Sequence, residues 1–229
     1  MKRITLALTI AAALIAGACL EKDTTSTIYL RQDGSFDWVI LEQNVRSDGD
    51  TGESRLSEEA EYVDAVSRGD TGVINGLLAL GAGDVRVRWL RDRRPYAVMV
   101  DARFDGLDAV FDRALAPCGI PYESRITESG GVTTWTLRAD VGLDGNRLEA
   151  NAGKNCGEGL GGLDAAFEEL RIVLESGTFT AATGFTLEGT MAAVIDEAAL
   201  EASVKTEGVV ELLLSWSQEK VTVTFLEKW

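Results

Sequence analysis

The stretch that most constrains the fold is STIYLRQDGSFDWVILEQNV, residues 26–45, where apolar side chains recur at every second position on both sides of a turn dipeptide. Ile28 and Leu30 precede Asp33-Gly34, and Phe36, Trp38 and Ile40 follow it. Two is the period of a strand, and Asp-Gly is a dipeptide that tight hairpins favour, so two antiparallel strands are expected here.

The same pattern returns three times. In DVRVRWLRDRRPYAVMVDARF, Val85, Val87 and Trp89 alternate with Arg86 and Arg88; Tyr96, Val98, Val100 and Phe104 then alternate with Met99, Asp101 and Arg103. IPYESRITESGGVTTWTLRAD predicts a hairpin turning at Gly130-Gly131, with Trp135 and Leu137 on one face. GVVELLLSWSQEKVTVTFLEKW predicts a terminal hairpin in which Val210, Leu212, Leu214 and Trp216 are answered by Val221, Val223 and Phe225.

Between these runs the period switches to the helical one. ESRLSEEAEYVDAVSRGD places Leu56, Ala60, Val63 and Ser67 on one face. Asp70 is expected to cap a second helix carrying Val73, Ile74, Leu77 and Leu78, which Gly81 and Gly83 stop. Leu107, Val110, Phe111 and Leu115 make a third amphipathic stretch, ended by Pro117, and DEAALEASV a fourth. Residues 143–163 are glycine-rich and expected to be irregular. FEELRIVLESGTFTAATGFTLEGTMAAVID is ambiguous at its start and strand-like afterwards. Hairpins interrupted by helices argue for an α+β fold: an antiparallel sheet with several short helices packed on it. The four tryptophans in expected strands, Trp38, Trp89, Trp135 and Trp216, are read as core.

The N-terminus supplies an address. Lys2 and Arg3 precede ITLALTIAAALIA, a 13-residue apolar run. A bilayer core needs about 20 residues, so this run has the proportions of a signal peptide. It ends in Ala16, Gly17, Ala18 and Cys19, which resembles the lipobox of bacterial lipoproteins, with Ala16 where that family usually has Leu. The resemblance implies cleavage after residue 18, a diacylglycerol on Cys19, and, with Leu20 following, export to the periplasmic face of the outer membrane. Residues 19–27 then form the lipidated cysteine and a short polar tether, reaching about 26 Å at about 3.3 Å per residue, and residues 28–229 a single domain. The order of elements loosely resembles LppM-type bacterial lipoprotein domains, and the stretches IYL…DGS…W and RPYAV resemble those of uncharacterised bacterial lipoproteins. That resemblance implies the fold class and no catalytic residue.

Removing residues 1–18 leaves 20 basic against 37 acidic side chains, a net charge of −17. A chain this acidic is a poor general binder of nucleic acid, which is held by phosphate neutralisation. With Cys19 acylated, Cys118 and Cys156 remain as an even pair, and an oxidising periplasm permits a disulfide between them. There is no histidine, which removes Ser-His-Asp and Cys-His catalysis and His-liganded zinc or haem. No enzymatic activity, metal or cofactor is expected.

Three motifs are weaker. Gly157, Gly159 and Gly162 spell G-x-G-x-x-G, but no apolar strand precedes them, so a loop is the better reading. Asp48, Asp50 and Glu59 have calcium-loop spacing, but Gly52 and Glu53 break the pattern, and a solvated acidic turn is favoured. Arg86, Arg88, Arg91, Arg93 and Arg94 crowd five guanidiniums into nine residues; they suit anions or lipid headgroups, although pairing with the surplus Asp and Glu is the simpler expectation. Taken together, the residues describe a lipid-anchored envelope module that works by binding or assembly, with an envelope protein as partner. The alternative is a carrier or sensor holding an apolar ligand between sheet and helices.

Overall fold

The computed structural model describes residues 20–147, 163–168 and 170–217. Cys19, Cys156, the glycine motif at 157–162 and the terminal strand at 221–225 lie outside them.

The fold is α+β, built on two mostly antiparallel sheets. The larger runs in the order β3-β4-β2-β1-β7-β10-β9, from β1 (Leu20–Leu30), β2 (Phe36–Ser47), β3 (Asp84–Arg91), β4 (Tyr96–Phe104), β7 (Leu170–Leu174), β9 (Phe185–Glu188) and β10 (Ala192–Ile195). The smaller runs β5-β6-β11-β8, from β5 (Tyr122–Ser129), β6 (Val132–Asp140), β8 (Thr178–Thr183) and β11 (Val209–Ser217). Helices α1 (Gly52–Arg68) and α2 (Gly72–Ala79) pack on the β2–β4–β3 side of the large sheet. α3 (Leu107–Leu115) lies against β5 and β6, the short α4 (Asp164–Glu168) against β1, and α5 (Glu197–Glu207) against β11.

Three of the expected hairpins are present. β1 meets β2 with Ile28 opposite Trp38 and Leu30 opposite Phe36, so the apolar alternation of both strands faces one core. β3–β4 and β5–β6 follow, the latter turning at Gly130 and Gly131, both left-handed (φ 61° and 78°). Among the described residues the one parallel pairing in the large sheet, β1 with β7, closes over long sequence separation.

The chain passes from the small sheet to the large one at Gly184, the single residue between β8 and β9. Its φ is 71°, and an added Cβ would stand 2.7 Å from the Glu211 carbonyl oxygen. Only glycine fits that corner.

Three expectations change. β1 begins at Leu20, already opposite Ser47, so residues 20–27 are the first part of a strand rather than a tether. β11 is bordered by β6 along Val209–Ser217 and by β8 along Leu213–Ser217, while its expected hairpin partner at 221–225 lies outside the described residues. α1 buries Glu59, Tyr62 and Val66, whereas Leu56 is 68% exposed. The apolar count picked the wrong face because tertiary partners satisfy a buried glutamate. The cap of α2 also moves by one residue: Thr71, not Asp70, accepts the Ile74 N–H.

The core between the sheets is aromatic. Phe36 stacks on Phe104 at 4.9 Å, Trp38 meets Phe167 edge-on at 5.3 Å, and Phe111 of α3 lies 5.2 Å from Trp135. Trp38, Trp135 and Trp216 are fully buried in the core as expected, whereas Trp89 is half-buried and packs against its margin.

Candidate functional site

Antiparallel pairing gathers the polar features of the sequence at one end of the large sheet. Leu20 at the start of β1 sits beside Ser47 at the end of β2, Val45 of β2 beside Tyr96 at the start of β4, and Ala97 beside Arg91 at the end of β3. The arginine-rich β3–β4 turn therefore shares an end with the residue that follows Cys19. A cleft of about 510 Å³ joins them directly, lined by Leu20, Lys22, Asp23, Asn44, Arg46 and Pro95.

The inward line of β2 changes character on the way. Phe36, Trp38 and Ile40 are followed by Glu42, which is only 3% exposed. An ionised carboxylate in such a place requires partners. Lys22 of β1 makes an ion pair with it, and the Tyr62 hydroxyl of α1 donates to it at 2.8 Å. Burial pushes the Tyr62 phenol far above its ordinary value, and the adjacent Glu42 charge and their hydrogen bond push the same way.

Beyond Glu42 the strand carries a bulge, with Gln43 and Asn44 opposite Ala97 alone. The extra residue turns Val45 and Ser47 inward, where strict alternation would have faced them out. Asn44 takes a left-handed φ of 53°, which asparagine tolerates, and its side chain donates to Asp23 at 2.6 Å.

Glu59 is the second buried carboxylate, also 3% exposed. It accepts the Ser47 N–H at 3.1 Å and pairs with Arg94 Nε at 3.1 Å. That bond ties α1 to the β3–β4 turn, and a ring ladder of Tyr62, Trp89 and Tyr96 supports it from below. The calcium reading of Asp48, Asp50 and Glu59 does not survive, because Glu59 turns into the protein and is paired there. Among the described residues no cluster of three or more His, Cys, Asp or Glu could hold a metal.

The five arginines separate into two classes. Arg86 pairs with Asp84 at 2.5 Å, Arg88 with Asp101 at 3.2 Å and Arg94 with Glu59. These three already have carboxylate partners. Arg91 reaches only the Pro95 carbonyl, at 3.3 Å, and Arg93 has no ion pair among the described residues. Next to them Leu90 is the extra residue of a bulge between Trp89 and Arg91, and it stands 55% exposed. Sequence reasoning found the arginines. It missed Lys22, Glu42 and Tyr62, whose only signal was a glutamate on the inward register of β2.

Cys118 is buried at the end of the 3₁₀ turn Ala116–Cys118. The gap between the two sheets is lined by apolar side chains, including Ile28, Trp38, Phe111 and Trp135, and measures about 30 Å³. That is room for about one water molecule; a cavity that takes benzene measures roughly 150 Å³. Among the described residues no helix is long and apolar enough to cross a membrane.

No family model and no curated protein matches the chain. Among solved structures, the folded domain of Mycobacterium tuberculosis LppM, determined by NMR, is loosely similar, with a TM-score of 0.32 and 10% identity over 92% of this chain and 97% of that one.

Proposed function

We propose that the protein is a lipoprotein of the bacterial cell envelope, anchored through Cys19 on the periplasmic face of the outer membrane, and that it works by binding or assembly at that surface rather than by catalysis. The observation that carries this reading is the start of β1. Leu20, the first described residue and the one that follows the lipobox cysteine, is already paired with Ser47, so an acyl anchor on Cys19 would be joined to the sheet with no spacer. Acyl chains at that point hold the domain close against the bilayer.

The inner gap of about 30 Å³ gives no support to a carrier of acyl chains. Glu42 and Glu59, each engaged by a cation and a second donor, serve to hold α1 and the turn onto the sheet. We also propose a Cys118–Cys156 disulfide. Closing a loop of about 39 residues would add about 3–4 kcal/mol if unstrained.

Cys19→Ala tests the anchor. Wild-type protein should fractionate with membranes and resist high salt, while the variant should appear in the soluble periplasmic fraction. Persistent membrane association of the variant sinks the proposal. Thiol labelling of the denatured, unreduced protein should leave Cys118 and Cys156 unlabelled; labelling of both removes the disulfide.

A further inference from the structure

We infer that the β3–β4 turn is a second membrane contact, in which Arg91 and Arg93 bind phosphates of anionic lipid headgroups while Leu90 enters the headgroup layer. The inference rests on the anchored reading of Cys19.

The register provides the geometry. β1 and β3 are three strand spacings apart, about 4.8 Å each, so the turn lies roughly 14 Å from Leu20 at the same end of one rigid sheet. A bilayer surface that meets the acylation point therefore meets the turn as well. The open polar cleft from Leu20 to Pro95 lies along that end of the sheet.

The chemistry selects two of the five arginines. Guanidiniums already neutralised by Asp84, Asp101 and Glu59 have little to offer a phosphate, whereas Arg91 and Arg93 carry their charge to solvent against only Asp92 in the turn. Leu90 continues the exposed register of Arg86 and Arg88, and the bulge turns Arg91, which strict alternation would have placed with half-buried Val87 and Trp89, outward beside it. An exposed leucine beside unpaired arginines matches the headgroup boundary, where an apolar residue enters and guanidiniums meet phosphate. Elsewhere at this end Lys22 and Arg46 are already paired with Glu42 and Glu21, and exposed Asp48 and Asp50 oppose an anionic surface, so the turn is the part best suited to the contact. One anchor leaves the domain free to tilt; an anchor and a basic turn together define its orientation.

The test uses full-length acylated protein purified from membranes and reconstituted in phosphatidylcholine vesicles with or without phosphatidylglycerol. Hydrogen–deuterium exchange at residues 90–94 should slow on the anionic vesicles by about fivefold or more for each engaged arginine. The R91Q/R93Q variant, altered only at exposed positions, should still float with the vesicles but lose that protection, and high salt should erase it in wild type. Equal exchange on both vesicle types, or protection retained in the variant, overturns the inference while leaving the anchor intact. Failure of the wild-type protein to float, with an unmodified Cys19 by mass spectrometry, overturns the anchor and this inference with it.

Discussion

One strand, β2, passes through two regions that are held together by different physics. At its start Phe36, Trp38 and Ile40 enter an aromatic core with almost no free volume, and the one polar atom of these three side chains, Trp38 Nε1, donates to Ser26 Oγ at 2.7 Å. At its end Glu42 and Ser47 enter a layer of charges and hydroxyls. β1 grades in parallel, from Leu30 and Ile28 through Ser26 and Thr24 to Lys22. The first region is sensitive to volume and indifferent to pH. The second is sensitive to the loss of a partner, because each buried carboxylate would then be left with too few donors.

The sharpest way to break this comparison is at Trp38. Trp38→Ala should cost about 3–5 kcal/mol, the range for emptying a packed aromatic site, and should leave Ser26 without its donor. Urea unfolding at pH 7 measures it. A loss under about 1 kcal/mol would mean that the core end is as adaptable as a surface and that the contrast is false.

The two ends were not equally legible. The core end follows from alternation alone: Ile28, Leu30, Phe36, Trp38, Val98, Val100, Trp135 and Leu137 all face inward as their period predicts. The anchor end resisted the same logic for three reasons. A glutamate on an inward register looks like an error in the pattern until its lysine and tyrosine, 20 residues away in opposite directions, are brought to it. The bulge at Gln43 and Asn44 resets the alternation without any glycine or proline to mark it. The apolar face of α1 was misread because Glu59 and Tyr62, not Leu56, meet the sheet. The β1–β7 pairing lies beyond any local pattern, since nothing in Ser26–Leu30 specifies a parallel neighbour more than a hundred residues on. Adjacency of the arginine turn to Leu20 needed only strand order, which local sequence does not contain.

A smaller effect sharpens the second half of the comparison. Tyr62→Phe deletes the hydroxyl that donates to Glu42 and should cost about 1.5–3 kcal/mol at pH 7, the range for a hydrogen bond to a charged group. The sign of its pH dependence follows from the raised phenol. The folded state holds this proton more tightly than the unfolded chain, so its contribution is complete below the unfolded value of about 10 and is lost as pH rises toward the folded one. Stability of the wild type should therefore fall more steeply than that of Tyr62→Phe above about pH 10, by up to about 1.4 kcal/mol per pH unit. Parallel curves would show that the phenol is not withdrawn from water, and the anchor end would lose its defining feature.

The smallest effect lies at the far end of the same hairpin, in the β1–β2 turn. Asp33 accepts the Ser35 hydroxyl at 2.6 Å and the Ser35 N–H at 3.0 Å, which hold its carboxyl below the ordinary range; Arg31 nearby adds a minor pull in the same direction. A depressed carboxyl stabilises the fold above its unfolded value of about 3.9, and the contribution disappears as pH falls through the folded one. Ser35→Ala removes the hydroxyl, the largest of these causes. Because Asp33 is exposed, solvent screening limits the loss at pH 7 to a few tenths of a kcal/mol. The gap between wild type and variant should close below about pH 3. A gap well above 1 kcal/mol that stayed open in acid would mean that Ser35 acts through packing of the turn. The core end would then be held by its turn as well as by its volume, and the division between the two ends of β2 would have to be redrawn.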